Sequence, residues 1–239
     1  MKFTYSFRRS FVFGACLLSL LLPRAHANLI SGYESQLETW LGQGNLNFTQ
    51  IFEKGTGDNY TNFHAAVDGQ GATLTLMSVS GAGFSGQIIG GYNPQSWNSS
   101  DSYNFTPSDA ARTAFIYNLT SSTIQRQNLN GQGYGGSGQY QAHNYQYHGP
   151  SFGGGADLFV QSSLNSGYAF NYSYGGTSFD GDIVDGTLNG EYTAFSVTAL
   201  EIYTFTQGSN SIPDGTSTNV LIVFSLVGLV ALRRRFARV

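Results

Sequence analysis

Between Phe48 and Phe205 the apolar residues come in short runs, each broken by a cluster of Gly, Asn, Ser or Asp. The clearest runs are Thr73 to Met77, Gln87 to Tyr92, Ala114 to Leu119, Asp157 to Val160, Tyr168 to Tyr174 and Phe195 to Phe205. Period-two alternation and β-branched or aromatic enrichment mark them as strands, and the polar breaks read as turns. Glycine supplies 31 of the 239 residues, roughly twice its usual share, which suits frequent chain reversal. The pattern predicts a mainly β, antiparallel domain. A charged fraction of 10% excludes a coiled coil or a charged disordered tail. No fixed repeat appears, which argues against a propeller or solenoid.

Two short helices are expected at the margin. Leu29, Ile30, Tyr33, Leu37, Trp40 and Leu41 recur at spacings of three and four and so share one helix face. Tyr60, Phe63, Ala66 and Val67 do the same within 59–67. The stretch Gly131 to Gly138 lacks the Gly-Lys-Ser/Thr of a phosphate loop and reads as a surface excursion.

The positive charges sit at the ends. Lys2, Arg8, Arg9 and Arg24 precede Asn28, and Arg233, Arg234, Arg235 and Arg238 close the chain. The body keeps Lys54, Arg112 and Arg126 against all 14 acidic residues. Three cations cannot neutralise a run of phosphates, so nucleic acid is excluded as a partner, while a cation or a neutral glycan fits the balance.

Residues 1–27 read as a secretory signal peptide and signal helix. A basic start is followed by apolar Phe11 to Leu22, then by Ala25-His26-Ala27, which places a signal-peptidase cut before Asn28. Cys16 is the single cysteine and falls inside this segment, so a mature chain would hold neither disulfide nor thiol nucleophile. The domain follows over 28–207, a linker and motif over 208–218, and a hydrophobic helix with a basic tail over 219–239. The motif reads Ile212-Pro213-Asp214-Gly215-Thr216-Ser217-Thr218, ahead of apolar Val220 to Leu232 and the arginines. This tail resembles the PEP-CTERM sorting signals in their Pro-Asp variant, with Ile212 in place of the usual Val and Thr216 where glycine is common. The resemblance implies a Gram-negative source and an exosortase-type sorting protease. It also implies passage through the inner membrane, with a transient or retained C-terminal anchor, to the cell surface or extracellular space. An ordinary single-pass anchor is the other reading of the same residues.

The order of features in the body resembles the TLDc domain. Phe63, Thr73 to Met77, Gly90-Gly91-Tyr92 and Trp97 come first. Phe115 to Leu119, Pro150-Ser151-Phe152-Gly153-Gly154, Asp157-Leu158, Leu188, Phe195 and Leu200-Glu201-Ile202-Tyr203 follow. The resemblance spans about residues 45 to 206 and implies two packed antiparallel sheets, a two-layer β-sandwich, with one or two marginal helices. Cytoplasmic members of the family are associated with oxidation resistance and with the vacuolar proton pump, a partner that an exported chain would not meet. The family offers no established catalytic set to map, so no catalytic residue is assigned.

Chemistry-bearing residues are few. Asp180, Asp182 and Asp185 form the densest carboxylate cluster, a weak Ca2+ candidate. Counted from Asp180, Glu191 stands at the twelfth position of an EF-hand, but Val184 occupies the fifth, and a solvated hairpin is the favoured reading. No cofactor is otherwise expected. His64, His143 and His148 show no zinc-ligand spacing, and Ser151 lies outside any Gly-x-Ser-x-Gly elbow. Glu201, on an apolar strand, must be paired or protonated if it faces inward, with acid–base work beside Asp157 as the remote alternative. Glu201, Trp97, Gly90, Gly91 and Phe152 are expected to be structural. Tyr134, Tyr140, Tyr145 and Tyr147 near the Gly-rich loop form a candidate stacking platform for extracellular polysaccharide. The whole reads as an exported, non-catalytic structural or binding module of the envelope or matrix. A secreted, carboxylate-dependent glycan hydrolase is the alternative.

Overall fold

The computed structural model describes residues 28–132, 136–176, 181–185 and 192–208. The signal segment, the sorting motif with Pro213 and Asp214, and the hydrophobic tail lie outside the described residues. Two helices form, α1 (Glu34–Leu41) and α2 (Tyr60–Val67). The strands are β1 (Leu46–Glu53), β2 (Thr73–Gly81), β3 (Phe84–Asn93), β4 (Tyr103–Phe105), β5 (Phe115–Asn118) and β6 (Thr123–Arg126). They continue with β7 (Tyr140–His143), β8 (Ser151–Phe152), β9 (Leu158–Val160), β10 (Ser166–Ala169) and β11 (Thr193–Gln207). All 11 join one antiparallel sheet in the order β4-β7-β8-β9-β10-β11-β2-β3-β5-β6, with β1 also on β11.

Strand β11 is the hub. One edge pairs β2 from Ser196 to Tyr203, and the other takes β10 from Thr193 to Ser196 and then β1 from Glu201 to Gln207. A bulge between Val197 and Ala199 shifts the register with β2. One extra residue reverses the side-chain phase of everything after it. Phe195 and Val197 before the bulge, and Leu200 and Ile202 after it, therefore face the same core, beside Met77, Val79, Ile89 and Leu158. Tyr203 faces a second core with Leu74, Leu76, Phe115 and Tyr117, and Leu29, Ile30 and Leu37 close it.

The first core holds the residues expected to be structural. Trp97 is buried; its indole nitrogen donates to Thr73 Oγ1 at 2.9 Å, and its ring meets Phe152 edge-on at 5.3 Å. A Cβ built on Gly91 would come within 2.6 Å of the Phe152 ring, although β3 and β8 are not neighbours in the sheet. A Cβ on Gly90 would run into the main-chain carbonyl of Thr75. These two glycines let a strand and an aromatic ring approach more closely than any side chain allows.

Local chemistry explains the helices. Asn59 caps α2 by accepting from Thr61 N at 2.8 Å while Asn62 returns the bond to Asn59 N at 3.1 Å. Gly42 ends α1 in the left-handed region at φ +68°, and Gln43 N bonds back to Glu38 O at 3.0 Å. The apolar stripe from Leu29 overshoots the helix. Gly32 at φ +87° breaks the spiral, so Leu29 to Tyr33 pack as turns and only Glu34 onward is helical. The run Tyr168 to Tyr174 stops being strand at Ala169, because Tyr172 to Tyr174 bend around a buried carboxylate described below. The Gly-rich stretch is not wholly at the surface: Ser137 and Gly138 are buried, and Ser137 Oγ donates to Tyr172 O at 2.6 Å.

All three cations of the body donate to main-chain carbonyls. Lys54 Nζ reaches Val197 O at 2.8 Å and Arg126 Nη2 reaches Trp40 O at 2.9 Å. Arg112 is buried and staples two loops, donating to Thr106 O, Pro107 O and Asn128 O and pairing with Asp109 at 2.9 Å. Gly90→Ala is expected to lower stability by about 2–3 kcal/mol, the cost of overpacking a site whose obstacle is backbone. Chemical denaturation of the two chains measures it.

Candidate functional site

The feature with the most chemical reach is a ribbon of aromatic rings along the outer side of β4, β7, β9 and β10. In β9, Leu158 and Val160 point into the first core, so strand alternation turns Phe159 outward. Phe159 stacks on its register partner Tyr168 of β10, with centroids 4.8 Å apart. Tyr103 of β4 likewise stacks on its partner His143 of β7 at 4.2 Å. Tyr140 meets Tyr103 at 4.8 Å and Phe105 at 5.6 Å. Tyr145 links the two halves, 3.5 Å from His143 and 5.7 Å from Phe159. Tyr192 extends the ribbon from Tyr168 to Phe170, at 4.9 Å from each. Such tilted and offset pairings are the geometries aromatic rings prefer.

Three members are open to solvent: Tyr103 is 37% exposed, Phe105 49% and Tyr192 61%. The ribbon carries little charge. Burial pushes the phenols of Tyr103, Tyr145 and Tyr168 up, aided by neighbouring tyrosines at Tyr103 and Tyr168 and by Asp101 at Tyr145. Burial also pulls His143 and His148 below the ordinary imidazole value, against the opposing pull of Asp101. Near neutral pH the strip is therefore a row of uncharged rings with hydroxyl tips.

Of the platform tyrosines, Tyr140 and Tyr145 are brought together in this ribbon. Tyr147 stands apart, 58% exposed and packed edge-on against Tyr60 of α2 at 5.6 Å. Tyr134 lies outside the described residues. Tyr103, Phe105, Tyr168 and Tyr192 were not foreseen, since only strand register brings them alongside. Aromatic identity is their only mark in the sequence.

The acids are held elsewhere. Asp157 is fully buried, and its Oδ1 accepts the amides of Tyr172, Ser173 and Tyr174 at 2.6, 2.7 and 3.0 Å. Burial nevertheless pushes its carboxyl up to about 7, outweighing those three amides. Glu201 is fully buried on the other core and accepts from Leu29 N at 2.9 Å and Tyr203 OH at 2.7 Å. Asp157 is thus held by the 172–174 amides and Glu201 by Leu29 and Tyr203, two separate sets of donors. Asp182 turns inward and accepts from Val184 N and Asp185 N at 2.8 and 3.0 Å. Asp185 accepts from Thr193 Oγ1 at 3.1 Å, and Asp180 and Glu191 lie outside the described residues. No group of three His, Cys, Asp or Glu side chains poised for a metal occurs among the described residues.

His64 Nδ1 sits 2.9 Å from Asp68 Oδ1, and Ser99 Oγ donates to Asp68 Oδ2 at 2.7 Å. The order serine–aspartate–histidine puts the carboxylate between the other two, so the imidazole cannot take the serine proton. Its Nε2 instead faces the carbonyls of Tyr145 and His148. Ser151 is fully buried and is no exposed nucleophile.

The raised Asp157 carboxyl makes a pH prediction. Its ordinary value is 3.8, so the folded state holds the extra proton between about 4 and 7, and stability falls as pH rises through that window. The loss attributable to this group is about 4 kcal/mol at most, at roughly 1.4 kcal/mol per unit. Asp157→Asn keeps an acceptor for the three amides and should flatten melting temperature against pH from 4 to 7.

No curated protein matches the chain. Among the described residues no helix is long and apolar enough to cross a membrane. The family comparison covers both helices and the sheet with its two cores: residues 29–206 match the TLDc domain, and the chain belongs to the TLDc domain family.

Proposed function

We propose that this chain is an exported bacterial cell-surface or extracellular-matrix protein whose TLDc domain is a non-catalytic module binding uncharged polysaccharide through the aromatic ribbon. The single observation behind the binding assignment is the chain of neighbouring rings that runs from Phe105 and Tyr103 through Tyr140, His143, Tyr145, Phe159 and Tyr168 to Tyr192, open to solvent at both ends. Amphipathic rings offer a flat apolar face to a sugar and a hydroxyl to its rim. A body with three cations against 14 acids disfavours anionic polymers and leaves neutral glycans as the matching class.

Export rests on the sequence: the Ala25-His26-Ala27 cut before Asn28, and the Pro213-Asp214 sorting motif ahead of apolar and basic residues. Signal peptidase and an exosortase-type protease are the processing partners in this reading, with the inner membrane engaged at least transiently. We also read the single hydrogen-bonded sheet as curled into two packed layers, which the approach of Gly91 to Phe152 supports. The alternative, a glycan hydrolase, needs two carboxyls facing one water-filled space. The burial of Asp157 and Glu201 against main-chain amides favours binding.

A glycan array of neutral and acidic polysaccharides tests the binding. Retention of neutral glycans is expected, and Tyr192→Ala and Tyr103→Ala should each weaken it about two- to tenfold, the worth of one ring. An array without hits removes the assignment, and release of soluble sugar transfers it to the hydrolase. Intact-mass measurement on the exported product is expected to give a chain that starts at Asn28.

A further inference from the structure

We propose that Glu201 is the docking site for the α-ammonium group that export creates at Asn28. The inference rests on the cleavage before Asn28 proposed above. Hydrolysis of the Ala27–Asn28 bond adds water across it, leaving a carboxylate on Ala27 and an amine, protonated at neutral pH, on Asn28. Before the cut that nitrogen is an uncharged amide; after it, the chain begins with a cation.

The geometry prepares a place for that charge. Glu201 is fully buried, and its Oε2 already holds the amide of Leu29, the residue after the cut, at 2.9 Å. Adjacent main-chain nitrogens lie roughly 3 Å apart, so the Asn28 nitrogen falls within about 6 Å of the carboxylate. The Asn28 side chain turns to the same centre: Tyr203 OH, 2.7 Å from Glu201 Oε2, is 3.4 Å from Asn28 Oδ1. Asn28 and Tyr203 also line, with Glu34 and Gln50, a pocket of about 500 Å3, so the terminus has open space beside it. The TLDc match begins at Leu29, so the domain's own fold starts where the cut would leave the chain.

Opposite charges within about 4–6 Å favour one another's ionised forms, the more so when one is buried. Cleavage thus converts a hydrogen bond to the first residues into an ion pair with them. Those residues lead directly into Leu29, Ile30 and Leu37, the cover of the second core. An ion pair at Glu201 would add to the packing that Leu29, Ile30 and Leu37 already make, a processing-coupled lock.

The test compares chains running to Val239 in mild detergent: one beginning with a free Asn28 amine, one acetylated there, and one carrying three extra residues before Asn28. The free amine is expected to raise the melting temperature by about 3 °C or more over both others. Glu201→Gln should erase that difference, which a general loss of stability would not do. Equal melting of the free and acetylated chains overturns the docking, even if Glu201→Gln fails to fold. An exported product with a different first residue overturns the processing reading instead, and intact mass reports it separately.

Discussion

The extra residue between Val197 and Ala199 governs the molecule. Strand β11 carries apolar side chains on both faces, and without the bulge Glu201 and Tyr203 would follow Val197 into the first core. The phase reversal sends Leu200 and Ile202 there instead and turns Glu201 and Tyr203 beneath the N-terminal segment. A buried carboxylate is tolerable only with donors, and the reversal supplies them from Leu29 and Tyr203. Both cores meet at this strand, which is paired along both edges.

Much of the fold could be read from the residues. Strands β2, β3, β5, β9 and β11 announce themselves by β-branched and aromatic runs, and α2 by a helical face behind Asn59. The parts that escaped are those decided by distant partners. Strands β4 and β8 have three and two residues, too few for any period, and exist because β7 and β9 offer them an edge. Strand β1 is half apolar, but a bulge between Gln50 and Phe52 breaks its alternation; the edge of β11 makes it a strand. The facing of Glu201 stayed open because a bulge leaves no mark in composition. For the same reason the tyrosines near the Gly-rich loop were visible, while their partners Tyr103, Tyr168 and Tyr192 were not.

Asp157 and the ribbon are linked through the backbone. The carboxylate gathers three successive amides from Tyr172 to Tyr174, which bends the chain just after β10. Phe170 and Tyr172 stack within that bend at 6.3 Å, and Phe170 supports Tyr192. A buried acid in one core thereby shapes the outer surface where rings meet solvent. The costly group is structural, and the exposed face it shapes is chemically mild.

The commitment of Lys54, Arg112 and Arg126 to carbonyl oxygens has a colloidal consequence. The three cations are held in place, and 14 acids against them leave the body strongly net negative. Like-charged copies keep their distance. Repulsion between copies of the domain offsets the pull between the exposed rings of Tyr103, Phe105 and Tyr192.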